Sequence, residues 1–194
     1  MAEFSIDTFT SQLTKGGALA SLFQCTVKNW AGIGDVDGAD GDFVFMCNGA
    51  TLPPSTITPA TVTYMGRALQ IPGNRDAAQL VTNIYNDEDM EIRSRVENWM
   101  EAINGHKSNK RDSKFVRIAG AANDSYTGTM EVSQLSKDKG EPTRTYQFNN
   151  CWPSGTSEVA LSWETNEIEK FDVTWEFSYW NALSVGAGTE IKGP

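Results

Sequence analysis

Histidine is almost missing from this chain: among its 194 residues there is one, His106. A lone imidazole in the polar stretch NGHKSNKRDSK speaks against a Ser–His–Asp or Cys–His catalytic site and against a histidine-based metal centre. Cysteine is scarce as well. Cys25, Cys47 and Cys151 lie far apart without C-x-x-C spacing, so they read as buried free thiols and not as a disulfide framework or zinc site. No apolar run approaches the roughly 18 residues of a membrane-crossing helix. The first residues, MAEFSIDTFTSQL, have neither the basic start nor the apolar stretch of a secretory signal, and cytosolic synthesis is the expectation. Positive charge is in deficit too: 16 Lys and Arg stand against 25 Asp and Glu, a net charge of −9. A protein that grips nucleic acid by neutralising phosphates is basic on at least one face. Here the bases gather mainly between Lys107 and Lys114.

Chemical motifs fail in the same way. Asp35, Asp37, Asp40 and Asp42 form an acidic hairpin that invites a calcium reading. An EF-hand starting at Asp35 would need an oxygen ligand at Ala39, a glycine at Asp40 and a glutamate at Met46, so a solvated acidic loop is favoured. Gly66-Arg67 and Gly73-Asn74-Arg75 read as turns and not as a phosphate loop. The carboxylates are those of any acidic protein. The expectation is no catalytic residue, no metal, no cofactor and no enzyme.

What is present is apolar content of 39% in a length that suits one domain with a real core. Residues 1–194 read as that domain, with 1–20 an arm and 181–194 a tail, flexible or ordered only on assembly. Leu22–Val27 reads as a strand with Phe23, Cys25 and Val27 on one face, and Phe43–Cys47 as its hairpin partner. Residues 48–75 hold four prolines, which exclude a long helix, and Thr61–Tyr64 suggests one extended segment. Such a long connection is usually functional or ordered by a partner. Leu80–Tyr85 resumes as a strand. The one helix spans about 87–104: Asn86 caps it, Asp87, Glu88 and Asp89 complement its dipole, and Ile92, Val96, Trp99, Met100 and Ile103 form its apolar stripe. Asn104-Gly105 stops it. Further strands follow at 115–118, 128–132, 144–148 and 171–179, the last with Phe171, Val173, Trp175, Phe177 and Tyr179 on one face. The class is mainly β.

The C-terminal third carries a more specific signal. Cys151-Trp152-Pro153, Leu161-Ser162-Trp163, Asn166-Glu167-Ile168, then Phe171-Asp172-Val173-Thr174 ending in Tyr179-Trp180 resemble the closing signature of contractile-tail (myovirus) phage tail tube proteins. The front half agrees through Leu22-Phe23-Gln24, Ala50-Thr51-Leu52-Pro53, Arg67 to Arg75 and Asn86-Asp87-Glu88. The ordered set covers about residues 20–180.

The resemblance implies two packed antiparallel sheets in a sandwich or barrel with one flanking helix, joined six to a ring and stacked into a tube in the virion tail. Partners would be further copies of the chain, the sheath protein, and the baseplate and tail-terminator proteins. The ruler protein and DNA would pass through the lumen without specific binding, past an acidic wall that repels phosphate over about 8–10 Å. Leu52, Pro53, Pro54, Ile57, Tyr64, Arg67 and Arg75 become candidate inter-ring or inter-subunit contacts. The acidic hairpin is longer than the family's usual turn and is placed at a ring-to-ring joint. The basic loop, with Lys107, Lys110, Arg111 and Lys114, is likewise longer than usual and is placed against the sheath; a solvated loop is the alternative for either insertion. A baseplate tube-initiator or the tube of a related injection or secretion system would share this fold. A monomeric β-sandwich that binds a ligand is the reading from another class.

Overall fold

The computed structural model describes residues 6–13, 16–28, 30, 43–44, 46–113, 125–138, 140–164 and 166–183. Two helices, α1 (Ile6–Gln12) and α2 (Glu91–Ile103), and nine strands are placed among them. Period-two patterning accounts for the strands that build the core. β5 (Leu80–Tyr85) turns Leu80, Thr82 and Ile84 inward, and β8 (Lys170–Glu176) does the same with Phe171, Val173 and Trp175. β1 (Phe23–Lys28) contributes Cys25 and Val27, and β6 (Gly128–Leu135) contributes Met130 and Val132.

All pairings are antiparallel. One sheet runs β1-β6-β7-β9, where β7 is Pro142–Thr156 and β9 is Tyr179–Leu183. The other runs β2-β5-β8-β7, with β2 at Cys47–Thr51. β7 therefore belongs to both. Its first part pairs with β6 and β9, and from Trp152 onward it pairs with β8. Between the two parts Asn150 takes a left-handed φ of 54°, and the ladder with β6 shifts register opposite it. That corner carries one strand from sheet to sheet, as bulges do in packed sandwiches.

The core between the sheets is centred on four aromatic rings. Trp99 meets Trp175 at 5.8 Å and Trp30 at 6.0 Å between ring centroids, and Phe43 meets Trp175 at 6.4 Å. These are edge-on or tilted contacts, the arrangements that ring quadrupoles favour. Both central indoles are satisfied: Trp175 donates to the Thr82 hydroxyl at 2.9 Å and Trp99 to the Tyr126 carbonyl at 2.8 Å. α2 docks through Ile92, Val96 and Trp99, part of the stripe expected from its sequence.

Several expectations need correction. The helix predicted over 87–104 spans Glu91–Ile103, because Met90 at its N-cap adopts φ 51°. Asp87, not Asn86, closes its start: the Asp87 carboxylate accepts the Glu91 N–H at 3.1 Å. Asn86 bonds instead to Glu169, donating backbone N–H to carbonyl and side-chain amide to carboxylate. The strand predicted over 171–179 ends at Glu176; the chain bends at Ser178, and exposed Tyr179 begins β9. Residues 181–183, assigned to the tail, complete that strand. In the predicted hairpin partner 43–47, Phe43, Val44 and Met46 have helical backbone, and Cys47 pairs with β5 instead of β1. The strand predicted at 115–118 lies outside the described residues.

Candidate assembly surfaces

Residues 48–75, expected to be a connection with one extended segment, form mostly a hairpin. β3 (Ser55–Tyr64) and β4 (Arg67–Ala77) pair only with each other, as a two-stranded sheet separate from the sandwich. Every residue from 54 to 76 is exposed. The tip is a two-residue turn, Met65-Gly66, with φ of 49° and 77°. Positive φ at both positions is the type I′ geometry that matches strand twist. Gly66 takes it freely, while Met65 takes it against its own preference. Prolines fit within these strands because each edge residue needs a partner on one side only. Pro59 faces Pro72 beside a register shift, and Gly73 is required there: a Cβ would lie 2.4 Å from the Thr58 carbonyl oxygen.

The register sorts the hairpin's two faces. Directly paired residues share a face, which groups Val62 with Leu69, Ala60 with Ile71 and Tyr64 with Arg67. The opposite face carries Thr61, Thr63 and Gln70, with Thr61 donating to Gln70 at 2.9 Å. The arm is amphipathic, and its apolar face is open: Tyr64 is 71% exposed, Leu69 61% and Met65 at the tip 89%. An isolated two-stranded hairpin is at best marginally stable in water.

Of the predicted contacts, Ile57, Tyr64, Arg67 and Arg75 all lie on this arm. Leu52, Pro53 and Pro54 form its root, with Leu52 and Pro54 exposed and Pro53 half-buried. Sequence reasoning missed Val62, Leu69 and Ile71. The period-two runs Ala60-Val62-Tyr64 and Arg67-Leu69-Ile71 were their available signal.

The described part of the basic loop turns back compactly after α2. Gly105 and Lys110 close it at 3.2 Å, and the Asp112 N–H bonds the Ala102 carbonyl at 3.1 Å. Lys107 and Lys110 are exposed there. Arg111 lies over the Tyr126 ring at 4.9 Å and donates to the Ile103 carbonyl, which anchors it against the end of α2. Lys114 and the acidic hairpin, Asp35, Asp37, Asp40 and Asp42, lie outside the described residues.

A further exposed segment is the β7–β8 loop, 157–169. Leu161 is 78% exposed, Ile168 69% and Trp163 fully so. The ends of the loop are nevertheless tied down. The Ser157 N–H donates to the Asp172 carbonyl and the Asp172 N–H to the Ser157 hydroxyl, both at 2.8 Å, and Asn86 holds Glu169.

Sheet edges remain as well. β1, β2 and β9 each lack a neighbour on one side among the described residues. The outward face of the first sheet is polar but nearly uncharged. Gln24, Thr26 and Gln147 surround one ion pair, Lys28–Glu131 at 2.7 Å. The second sheet's outward face carries Asn83 bonded to Asp172 at 2.6 Å. The thiols are buried: burial pushes Cys151 up to about 12, and contact with Cys47 together with burial raises Cys25, while the same contact lowers Cys47. Among the described residues no group of three or more His, Cys, Asp or Glu could hold a metal.

Comparison with known proteins places these surfaces in context. The family model described as "Phage tail tube protein" matches residues 8–183. The tail tube protein gp19 of Enterobacteria phage T4 is 26% identical over 140 residues, covering 72% of this chain and 81% of that protein. Two cryo-EM assemblies contain chains of similar fold. One is the extended sheath–tube complex of an extracellular contractile injection system (TM-score 0.62, 12% identity, 91% of this chain and 98% of that one). The other is the baseplate of the anti-feeding prophage (TM-score 0.61, 10% identity, 88% and 98%).

Proposed function

The chain belongs to the phage tail tube protein family and is a structural subunit of a contractile phage tail; from that premise we propose how its surfaces build the tube. Six copies close a ring by continuing sheets across subunit boundaries. The open edges of β1, β2 and β9 support this, because an unpaired edge is an association site and ring closure removes it. Rings then stack through the β3–β4 arm, with Leu52, Pro53, Pro54, Ile57, Tyr64, Arg67 and Arg75 at inter-subunit contacts. The observation that carries this reading is the arm's open apolar face, which no element among the described residues covers.

The remaining roles are assigned from charge and from the family resemblance. The sheath surrounds the tube and meets Lys107, Lys110, Arg111 and Lys114. Asp35, Asp37, Asp40 and Asp42 sit at a ring-to-ring joint. Baseplate and terminator proteins cap the ends, and the ruler protein and DNA pass through the lumen without specific binding. A wall of amides and hydroxyls with its charges cancelled or acidic, as on the two outward sheet faces, offers phosphates nothing to hold. The chain performs no catalysis.

Negative-stain electron microscopy with mass determination on the purified protein tests the reading. Six-fold rings or hollow tubes are expected. A strictly monomeric protein, even when seeded with baseplate, would contradict it and favour a ligand-binding sandwich.

A further inference from the structure

The arm and the β7–β8 loop lie at opposite ends of the same sheet. The arm's root joins β2 and β5 where Thr51 pairs with Val81. The loop runs into β8 where Lys170 pairs with Tyr85, at the far end of β5. Six residues of strand, about 20 Å, separate the two. They also complement one another. From 55 to 77 the charged residues are Arg67, Arg75 and Asp76, one net positive charge; from 157 to 169 they are Glu158, Glu164, Glu167 and Glu169, four negative charges and no base. Both expose large apolar side chains at their centre: Tyr64, Met65 and Leu69 on the arm, Leu161, Trp163 and Ile168 on the loop.

We propose that the β7–β8 loop is the receptor for the arm tip of a second copy of this chain, with Met65 and Tyr64 seated against Leu161, Trp163 and Ile168. The inference rests on the tube reading and names the surface that the arm meets. The loop encloses an open concavity of about 550 Å³ lined by Leu161, Trp163, Glu167 and Ile168 among others. It has room for apolar side chains arriving from outside. Glutamates around the apolar centre face Arg67 beside the tip, and such complementarity fixes partner and register. A thioether against an indole is a favourable contact, and buried Trp and Tyr anchors commonly dominate binding energy. Arm and receptor at opposite ends make the contact head-to-tail, so each copy offers at one end what the next accepts at the other. Such a contact repeats without limit along an axis.

The test joins chemistry to microscopy. A double variant, Met65→Cys with Ala160→Cys, leaves Trp163 in place; the three native thiols are buried, and wild-type tubes treated alike control for them. Assembled tubes treated with a short bis-maleimide should give a ladder of covalent multimers, absent from either single variant. Tubes that form without the ladder overturn the docking and leave the tube function standing. Linkage of Met65→Cys to Phe9→Cys on the exposed α1 would overturn it equally. A wild-type chain that never stacks overturns both readings. Should the cysteine variants fail to assemble, charge reversal decides. Arg67→Glu and Glu164→Arg should each raise the concentration needed for stacking several-fold, and together restore it. A double variant no better than the singles rejects the contact.

Discussion

The sandwich body and the β3–β4 arm share one local pattern, apolar residues alternating along antiparallel strands, and put it to opposite use. In β8 the alternation places Phe171, Val173 and Trp175 at 0–1% exposure against the helix and the facing sheet. In the arm the same alternation places Val62, Tyr64, Leu69 and Ile71 in open solvent. The body's apolar residues are used up in folding one subunit, while the arm's stay exposed, available for the inter-subunit contact proposed above. Period-two patterning therefore identifies a strand with a covered face, but not whether the cover comes from the same chain.

The comparison predicts graded consequences. The largest effect is expected at the centre of the body. Trp175→Ala removes a fully buried indole from contact with Trp99 and Phe43 and should cost about 3–5 kcal/mol in urea unfolding of dispersed subunits. That is a large part of the roughly 5–15 kcal/mol that holds a typical domain together. Next is alkali. The Cys151 thiol ionises at about 12 in the folded chain against an ordinary value of 9.0. A raised value means the folded state favours the neutral thiol, so stability is full below about pH 9 and declines as pH rises from there towards 12. Cys151→Ser should flatten that decline, and Cys151 should resist iodoacetamide at pH 8 until the chain is unfolded. Smaller again is Thr82→Val, which leaves the Trp175 N–H buried without its acceptor and should cost about 1–3 kcal/mol. A cost near zero would show that the indole finds another partner.

Legibility in the sequence follows the same division. β1, β5, β6 and β8 were readable because their own chain buries the alternate residues, and the stripe Ile92-Val96-Trp99 made α2 visible for the same reason. The start of α2 was misplaced because a capping-type residue at Asn86 looks the same whether it closes a helix or holds Glu169. Phe43–Cys47 looked like a strand because a short apolar run has no period of its own. The double role of β7 turns on one left-handed residue, Asn150, which no composition rule marks as a corner. The arm was hidden by Pro59 and Pro72, which read as breakers, and by an apolar face that no described element covers. The β7–β8 loop was noticed as a sequence signature, Leu161-Ser162-Trp163 and Asn166-Glu167-Ile168. The exposure of Leu161, Trp163 and Ile168 appears only when the strands on either side are paired.

The smallest effect on folding should accompany the greatest on assembly, and one paired measurement tests that directly. Tyr64→Ser with Met65→Ser is compared with wild type by thermal melting of dispersed subunits and by electron microscopy at tube-forming concentration. The account predicts melting temperatures within about 2 °C, as for surface substitutions worth under about 0.5 kcal/mol, and loss of stacked tubes. Tubes of normal length, or a subunit that melts many degrees earlier, would contradict it, because the arm's apolar face would then serve the fold and not the assembly.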